Sequence, residues 1–87
     1  MPASASVLRI LNTAWDPVGL SGLESFDPDT DLEYAGYAQE LTSMLARGAD
    51  PIRIRKYLEW AEEYMGIDVS QQRIARVTDM LLSEGSR

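Results

Sequence analysis

The chain reads as an all-α protein: a four-helix domain with a structured acidic loop between helices one and two, and with helices two and three folded as an antiparallel hairpin. Three observations predict this. Apolar residues recur at spacings of three and four in four separate stretches, and no stretch shows the strict alternation of a half-buried strand. Most of these stretches begin or end at residues with helix start or stop chemistry. The length of 87 residues and the 45% apolar composition fit one small core and one domain, 1–87. A chain this short buries only ~60–65% of the surface its unfolded form exposes. That leaves little room for a deep small-molecule cleft.

Helix one is expected over 4–14, where Val7, Leu8, Leu11 and Trp15 share one face. Asp16-Pro17 stops it, because the residue before a proline disfavours the helical region. Residues 16–31 form the longest connection. They interleave Pro17, Gly19, Gly22 and Pro28 with apolar Val18, Leu20, Leu23 and Phe26, so the loop is expected to fold back over one end of the core. Helix two is expected over 31–47. It opens with a capping box at Thr30-Asp31-Leu32-Glu33, in which Thr30 and Glu33 would satisfy each other's backbone amides. Tyr34, Tyr37, Ala38, Leu41, Met44 and Leu45 form its stripe, and Gly48 is its left-handed terminator.

Helix three is expected over 51–65. Asp50 is a good N-cap, and Pro51 occupies the first helical position, where its missing N–H costs nothing. Ile54, Tyr57, Leu58, Ala61, Tyr64 and Met65 repeat the spacing of helix two, and Gly66 ends the run. The short connection through residues 47–50 makes helices two and three a hairpin. Helix four is expected over 70–83, capped by Ser70 and buried through Ile74, Val77, Thr78 and Leu81. Residues 84–87 read as a frayed tail.

Composition excludes several chemistries. There is no cysteine and no histidine, so disulfides, thiolate zinc sites, cysteine nucleophiles and imidazole general bases are absent. No apolar run approaches the ~20 residues of a membrane span. The N-terminal residues lack the basic region of a signal peptide, and a cytoplasmic location is expected. Asp27-Pro28-Asp29-Thr30-Asp31 begins like a calcium loop, but the required glycine and distal glutamate are replaced by Leu32 and Ala38. Glu59, Glu62 and Glu63, preceded by Arg55 and Lys56, read as a solvated, charge-paired helix face. Di-iron bundles need Glu-x-x-His pairs, which this chain cannot supply. Phosphopantetheine carriers need a serine at the start of their second helix, and Thr30-Asp31-Leu32-Glu33 stands there instead. The sequence therefore predicts no enzyme, no cofactor and no metal.

Charge is the informative feature. The formal net charge is −6, and between Ile10 and Ala46 there is no lysine or arginine, while Asp16, Glu24, Asp27, Asp29, Asp31, Glu33 and Glu40 all fall there. Residues 47–87 are balanced. A one-signed segment repels phosphates, which argues against nucleic acid as a partner. It speeds encounter with a basic surface and can then occupy that surface's cationic site. Asp27, Asp29, Asp31, Glu33 and Tyr34 are the leading contact candidates, with Glu24, Tyr37 and Glu40 behind them. Of the two tryptophans, Trp15 reads as core. Trp60 lies about 60° off the helix-three stripe, and two placements stay open for it: half buried at the hairpin edge, or an exposed contact of the kind that dominates interfaces.

Trp15-Asp16-Pro17-Val18-Gly19, followed by Glu33-Tyr34 with Tyr37 three residues later, and by Leu41 and Leu45 closed by Gly48, resembles a set of small bacterial proteins with a W-D-P-[IV]-G segment, an acidic loop and an E-Y-x-x-Y helix. Tyr57-Leu58 through Glu62 to Met65-Gly66-Ile67 continues the likeness, which spans about Leu8 to Ile67. Ala35 and Gly36 stand where acids usually separate or follow the tyrosine pair. The resemblance implies an all-helical fold of immunity type and carries over no catalytic residues. The W-D-P-V-G segment also has a structural account. Trp15 packs on the core, Asp16 accepts from the following turn, Pro17 sets the exit direction and Gly19 takes a positive φ.

Two functions follow as expectations. The first is an immunity or inhibitor protein that neutralises a basic toxin or nuclease domain in the bacterial cytoplasm. The second is a structural or adaptor module, monomer or homodimer, that docks by an apolar face: Trp60 with Tyr57 and Tyr64, plus Met80 and Leu82 off the main stripe of helix four.

Overall fold

Local chemistry sets most of the helix boundaries. The computed structural model describes residues 4–19, 22, 24, 27 and 32–86. Among them are four helices and no strand: α1 (Ser4–Ile10), which runs on into a π-helical turn (Leu11–Trp15), α2 (Ala35–Ala46), α3 (Pro51–Met65) and α4 (Gln71–Gly85). Asp50 caps α3 by accepting from the Arg53 amide at 2.9 Å, and Pro51 sits in the first turn. Ser70 caps α4 by accepting from the Arg73 amide at 3.2 Å. Gly48 (φ +78°) and Gly66 (φ +73°) are left-handed. The residue after each donates to a carbonyl five positions back, Ala49 to Met44 at 2.9 Å and Ile67 to Glu62 at 3.0 Å. Only a glycine takes that turn without steric cost.

Three boundaries depart from expectation. The first helix stops being α-helical at Ile10 and widens, so that the Asp16 amide reaches the Leu11 carbonyl at 2.8 Å. The wider turn carries the chain to Trp15 before it leaves the helix. α2 opens at Ala35 rather than at 31, with Tyr34 at its N-cap and no side-chain cap. A turn closed by the Ala35 amide on the Leu32 carbonyl at 3.1 Å leads into it, and Tyr34 is already in the core. Thr30 and Asp31 of the expected capping box lie outside the described residues. α4 runs through Gly85 rather than ending at 83, because its last turn lies against α2: a β-carbon on Gly85 would stand 3.1 Å from Leu45 Cδ2.

The core draws on every helix. Val7, Leu8, Leu11 and Trp15 meet Tyr34, Ala38, Leu41 and Leu45 of the second stretch, then Ile54, Leu58 and Ala61 of α3, and Val69, Ile74, Val77 and Leu81 at the C-terminal side. Burying each larger side chain among these contributes roughly 1.5–3 kcal/mol. α4 is the hub, touching α3, α1, the π turn and α2. α2 and α3 share less contact than any of these pairs; Tyr37 against Tyr57, with ring centroids 6.4 Å apart, is one contact between them. The radius of gyration of 11.9 Å is close to the ~12 Å of a closed chain of this length. Among the described residues, no helix is long and apolar enough to cross a membrane. Val18 of the connecting loop is exposed rather than folded over the core; Leu20, Leu23 and Phe26 lie outside the described residues.

Candidate functional site

Trp15 anchors a buried polar knot. Its ring is fully buried, and its Nε1 donates to Glu62 Oε2 at 3.0 Å. Glu62 Oε1 accepts from the Val69 amide at 3.1 Å. Glu62 is only 5% exposed, which corrects its placement on a solvated face beside Glu59 and Glu63. The correction has a physical reason. The segment after Gly66 folds back over the end of α3, and two N–H donors, one per oxygen, compensate a carboxylate that burial would otherwise penalise.

On the other side of Trp15, Asp16 is buried in a left-handed conformation (φ 34°, ψ 60°). Its Oδ1 accepts from the Tyr34 hydroxyl at 2.9 Å, and that hydroxyl accepts from the Val18 amide at 3.0 Å. Arg73 Nη1 donates to the Trp15 carbonyl at 3.3 Å. A left-handed aspartate is uncommon and costs energy; here the hydroxyl of Tyr34 bridges it to the turn it starts. Burial first, and then the hydrogen bond and charge of Asp16, hold the Tyr34 phenol protonated far above its ordinary range, against the opposing pull of the Val18 amide. Tyr57 is pushed up too, by burial and then by the charge of Glu40.

Six aromatic rings form a succession that begins in this knot and runs outward. Tyr34 lies 5.4 Å from Trp15 between ring centroids, Trp15 lies 5.8 Å from Tyr37, and Tyr37 lies against Tyr57. Tyr57 lies 5.6 Å from Trp60, and Trp60 stacks on Tyr64 at 5.7 Å with 24° between the planes. The succession starts fully buried and ends in water: Trp60 is 53% exposed and Tyr64 is 76% exposed. Tyr64 therefore leaves the buried stripe that its spacing predicts. It lies at the stripe's edge, turned toward Trp60.

The candidate contact residues separate. Glu24, Asp27, Glu33 and Glu40 are exposed, and Tyr37 is half buried. Glu40 lies 3.6 Å from Arg47. Tyr34 is fully buried with its hydroxyl engaged, so its predicted role as a contact is corrected to one in the core. Asp29 and Asp31 lie outside the described residues, as does most of the calcium-loop-like string. Among the described residues, no group of three or more acids is placed to hold a metal ion. An open groove of about 690 Å³ lies beside the end of α3, lined among others by Glu59, Glu62, Glu63, Asp68 and Gln71. It is open to solvent rather than a deep cleft, and Glu59, Glu63 and Asp68, all exposed, give it a negative lining. Sequence reasoning missed Glu62 and Arg73. The available signal for Glu62 was its place four residues after Leu58, together with an indole N–H on Trp15 that needs an acceptor once buried. No family model, no curated protein and no solved structure matches this chain.

Proposed function

We propose that this chain is an acidic binding protein of the immunity or inhibitor type, acting in the bacterial cytoplasm on a basic toxin or nuclease domain. The observation that carries the reading is that Glu24, Asp27, Glu33 and Glu40 are exposed within the one long stretch that holds no lysine or arginine. Such a surface raises the encounter rate with a cationic partner and disfavours phosphate-bearing ones. The resemblance carried by Trp15 to Gly19 and by Glu33, Tyr34 and Tyr37 points the same way. In this reading the acidic loop, with Asp29 and Asp31, belongs to the contact surface, and α2 and α3 form an antiparallel hairpin across residues 47–50. No catalytic group, cofactor or membrane contact enters it. The test is affinity capture from the native cell, followed by titration of the captured protein between about 0.1 and 1 M salt, over which the screening length falls from ~10 to ~3 Å. Affinity should fall steadily across that range. An affinity indifferent to salt would overturn the reading.

The stacked, exposed Trp60–Tyr64 pair favours a second reading, an adaptor that docks through this aromatic face. Tryptophan and tyrosine are enriched at the centres of protein interfaces.

A further inference from the structure

The charges of α3 run in an unusual order. Arg53, Arg55 and Lys56 all precede Leu58, and Glu59, Glu62 and Glu63 all follow it. A helix macrodipole favours the reverse, with acids at the N-terminal end and bases at the C-terminal end. Three of these charges are engaged within the chain. Arg55 lies 3.5 Å from Glu59 and also donates to Gln71, and Glu62 is buried against Trp15 and Val69. Lys56 and Glu63 are exposed, and among the described residues neither joins an ion pair within the chain. They lie on one flank of the aromatic strip, four residues before and three residues after Trp60, so helical rise sets them about 10 Å apart.

We propose that this strip docks a second copy of the same chain, α3 antiparallel to α3, with the two-fold axis near Trp60. The inference rests on the second reading above, that the aromatic face docks, and not on the acidic-inhibitor reading. Charge complementarity selects the occupant. A uniformly basic partner meets Lys56 and Arg53, and a uniformly acidic one meets Glu63. A copy running the other way presents the reversed order without further assumption. In an antiparallel pair, like flanks meet, so Lys56 faces the partner's Glu63 and Glu63 faces the partner's Lys56. Such a self-complementary patch is what a two-fold interface requires. Trp60 lies between those pairs along the axis, near the two-fold, where an interface concentrates its binding energy, and Tyr64 stacks on it from the opposite flank. The antiparallel partner also sets its C-terminal half beside Arg53 and Lys56, which offsets the unfavourable dipole order of each helix alone.

Sedimentation equilibrium of the full chain tests this at about 0.15 M salt, where a screening length of ~8 Å damps the net-charge repulsion and leaves direct contacts. The expected result is a reversible monomer–dimer equilibrium. Trp60→Ala should weaken it about tenfold or more. Lys56→Glu and Glu63→Lys should each weaken it, and the two together in one chain should restore it. All three positions are exposed, and a circular dichroism melt at a concentration where the chain is monomeric checks that each variant folds. A monomer at every concentration overturns the proposal, as does a dimer indifferent to Trp60→Ala or a double variant that fails to recover. A monomeric chain whose capture of another cellular protein is lost with Trp60→Ala overturns the second copy and leaves the docking face standing. A monomer whose capture survives that substitution sinks both.

Discussion

Two clusters of this protein use the same three residue types in opposite surroundings. The knot holds Trp15, Glu62 and Tyr34. The strip on α3 holds Trp60, Glu63 and Tyr64. In the knot each polar atom is matched: the indole N–H and the Val69 amide converge on one carboxylate, and the phenol joins Asp16 to the Val18 amide. On the strip the rings stack beside water. The knot ties the π turn, α2, α3 and the segment before α4 to one another, whereas the strip lies on one face of α3. Matched residues in different surroundings separate what holds this fold from what its surface is free to do.

The largest contrast is between the tryptophans. Trp15→Ala should cost about 3–5 kcal/mol, because it empties a fully buried site and also strips Glu62 of one donor. Trp60→Ala, measured by urea unfolding at protein concentrations where the chain is monomeric, should stay within about 1 kcal/mol of the parent. Equal losses at the two positions would mean that Trp60 is structural, and the contrast between knot and strip would fail.

Much of the helical frame was legible in the sequence, because the chemistry that specifies it is local. Asp50 with Pro51, Ser70, Gly48 and Gly66 act within a turn or two of themselves, and the stripes of the first helix and of α4 repeat at 3.6 residues. What was not legible depends on partners far along the chain. Glu62 is buried because Trp15, 47 residues away, brings it an N–H and because the 67–70 segment folds over it. Helical geometry alone set it 60–120° from the stripe. Tyr64 obeys the period of its stripe and still emerges, because its position is at the edge, where the next ring decides which way it turns. The acidic neighbours of Tyr34 in sequence suggest a surface contact, while its hydroxyl is taken up by Asp16, 18 residues back. The acid-only stretch was visible as composition; composition carries no information about which carboxylates sit together.

The glutamates give an intermediate contrast. Glu62→Gln keeps size and removes one acceptor oxygen, so either the Trp15 indole or the Val69 amide meets an NH₂ group instead. Leaving one buried donor unmatched should cost about 1–3 kcal/mol. Glu63→Gln on the next residue should change the unfolding free energy of the monomer by no more than about 0.5 kcal/mol. If the two substitutions prove equivalent, Glu62 is hydrated in solution and the knot is looser than its distances imply.

The tyrosines give the smallest effect, and pH isolates it. The folded state raises the Tyr34 phenol above its ordinary value of 10.0. Below that value both folded and unfolded chains keep the proton, and stability is unaffected. Above it the unfolded phenol ionises while the buried one stays neutral, so the unfolded state binds fewer protons and stability falls as pH rises. The slope is about 1.4 kcal/mol per pH unit for one such group. Tyr57, raised in the same direction, adds to the decline. Tyr34→Phe lowers stability at neutral pH, because Asp16 loses a donor and the Val18 amide loses an acceptor, and it should also flatten the alkaline decline. The slope therefore reports the burial of one phenol separately from the loss of its hydrogen bonds. An unchanged alkaline slope in Tyr34→Phe would mean that the Asp16–Tyr34 bridge does not exclude water from the phenol.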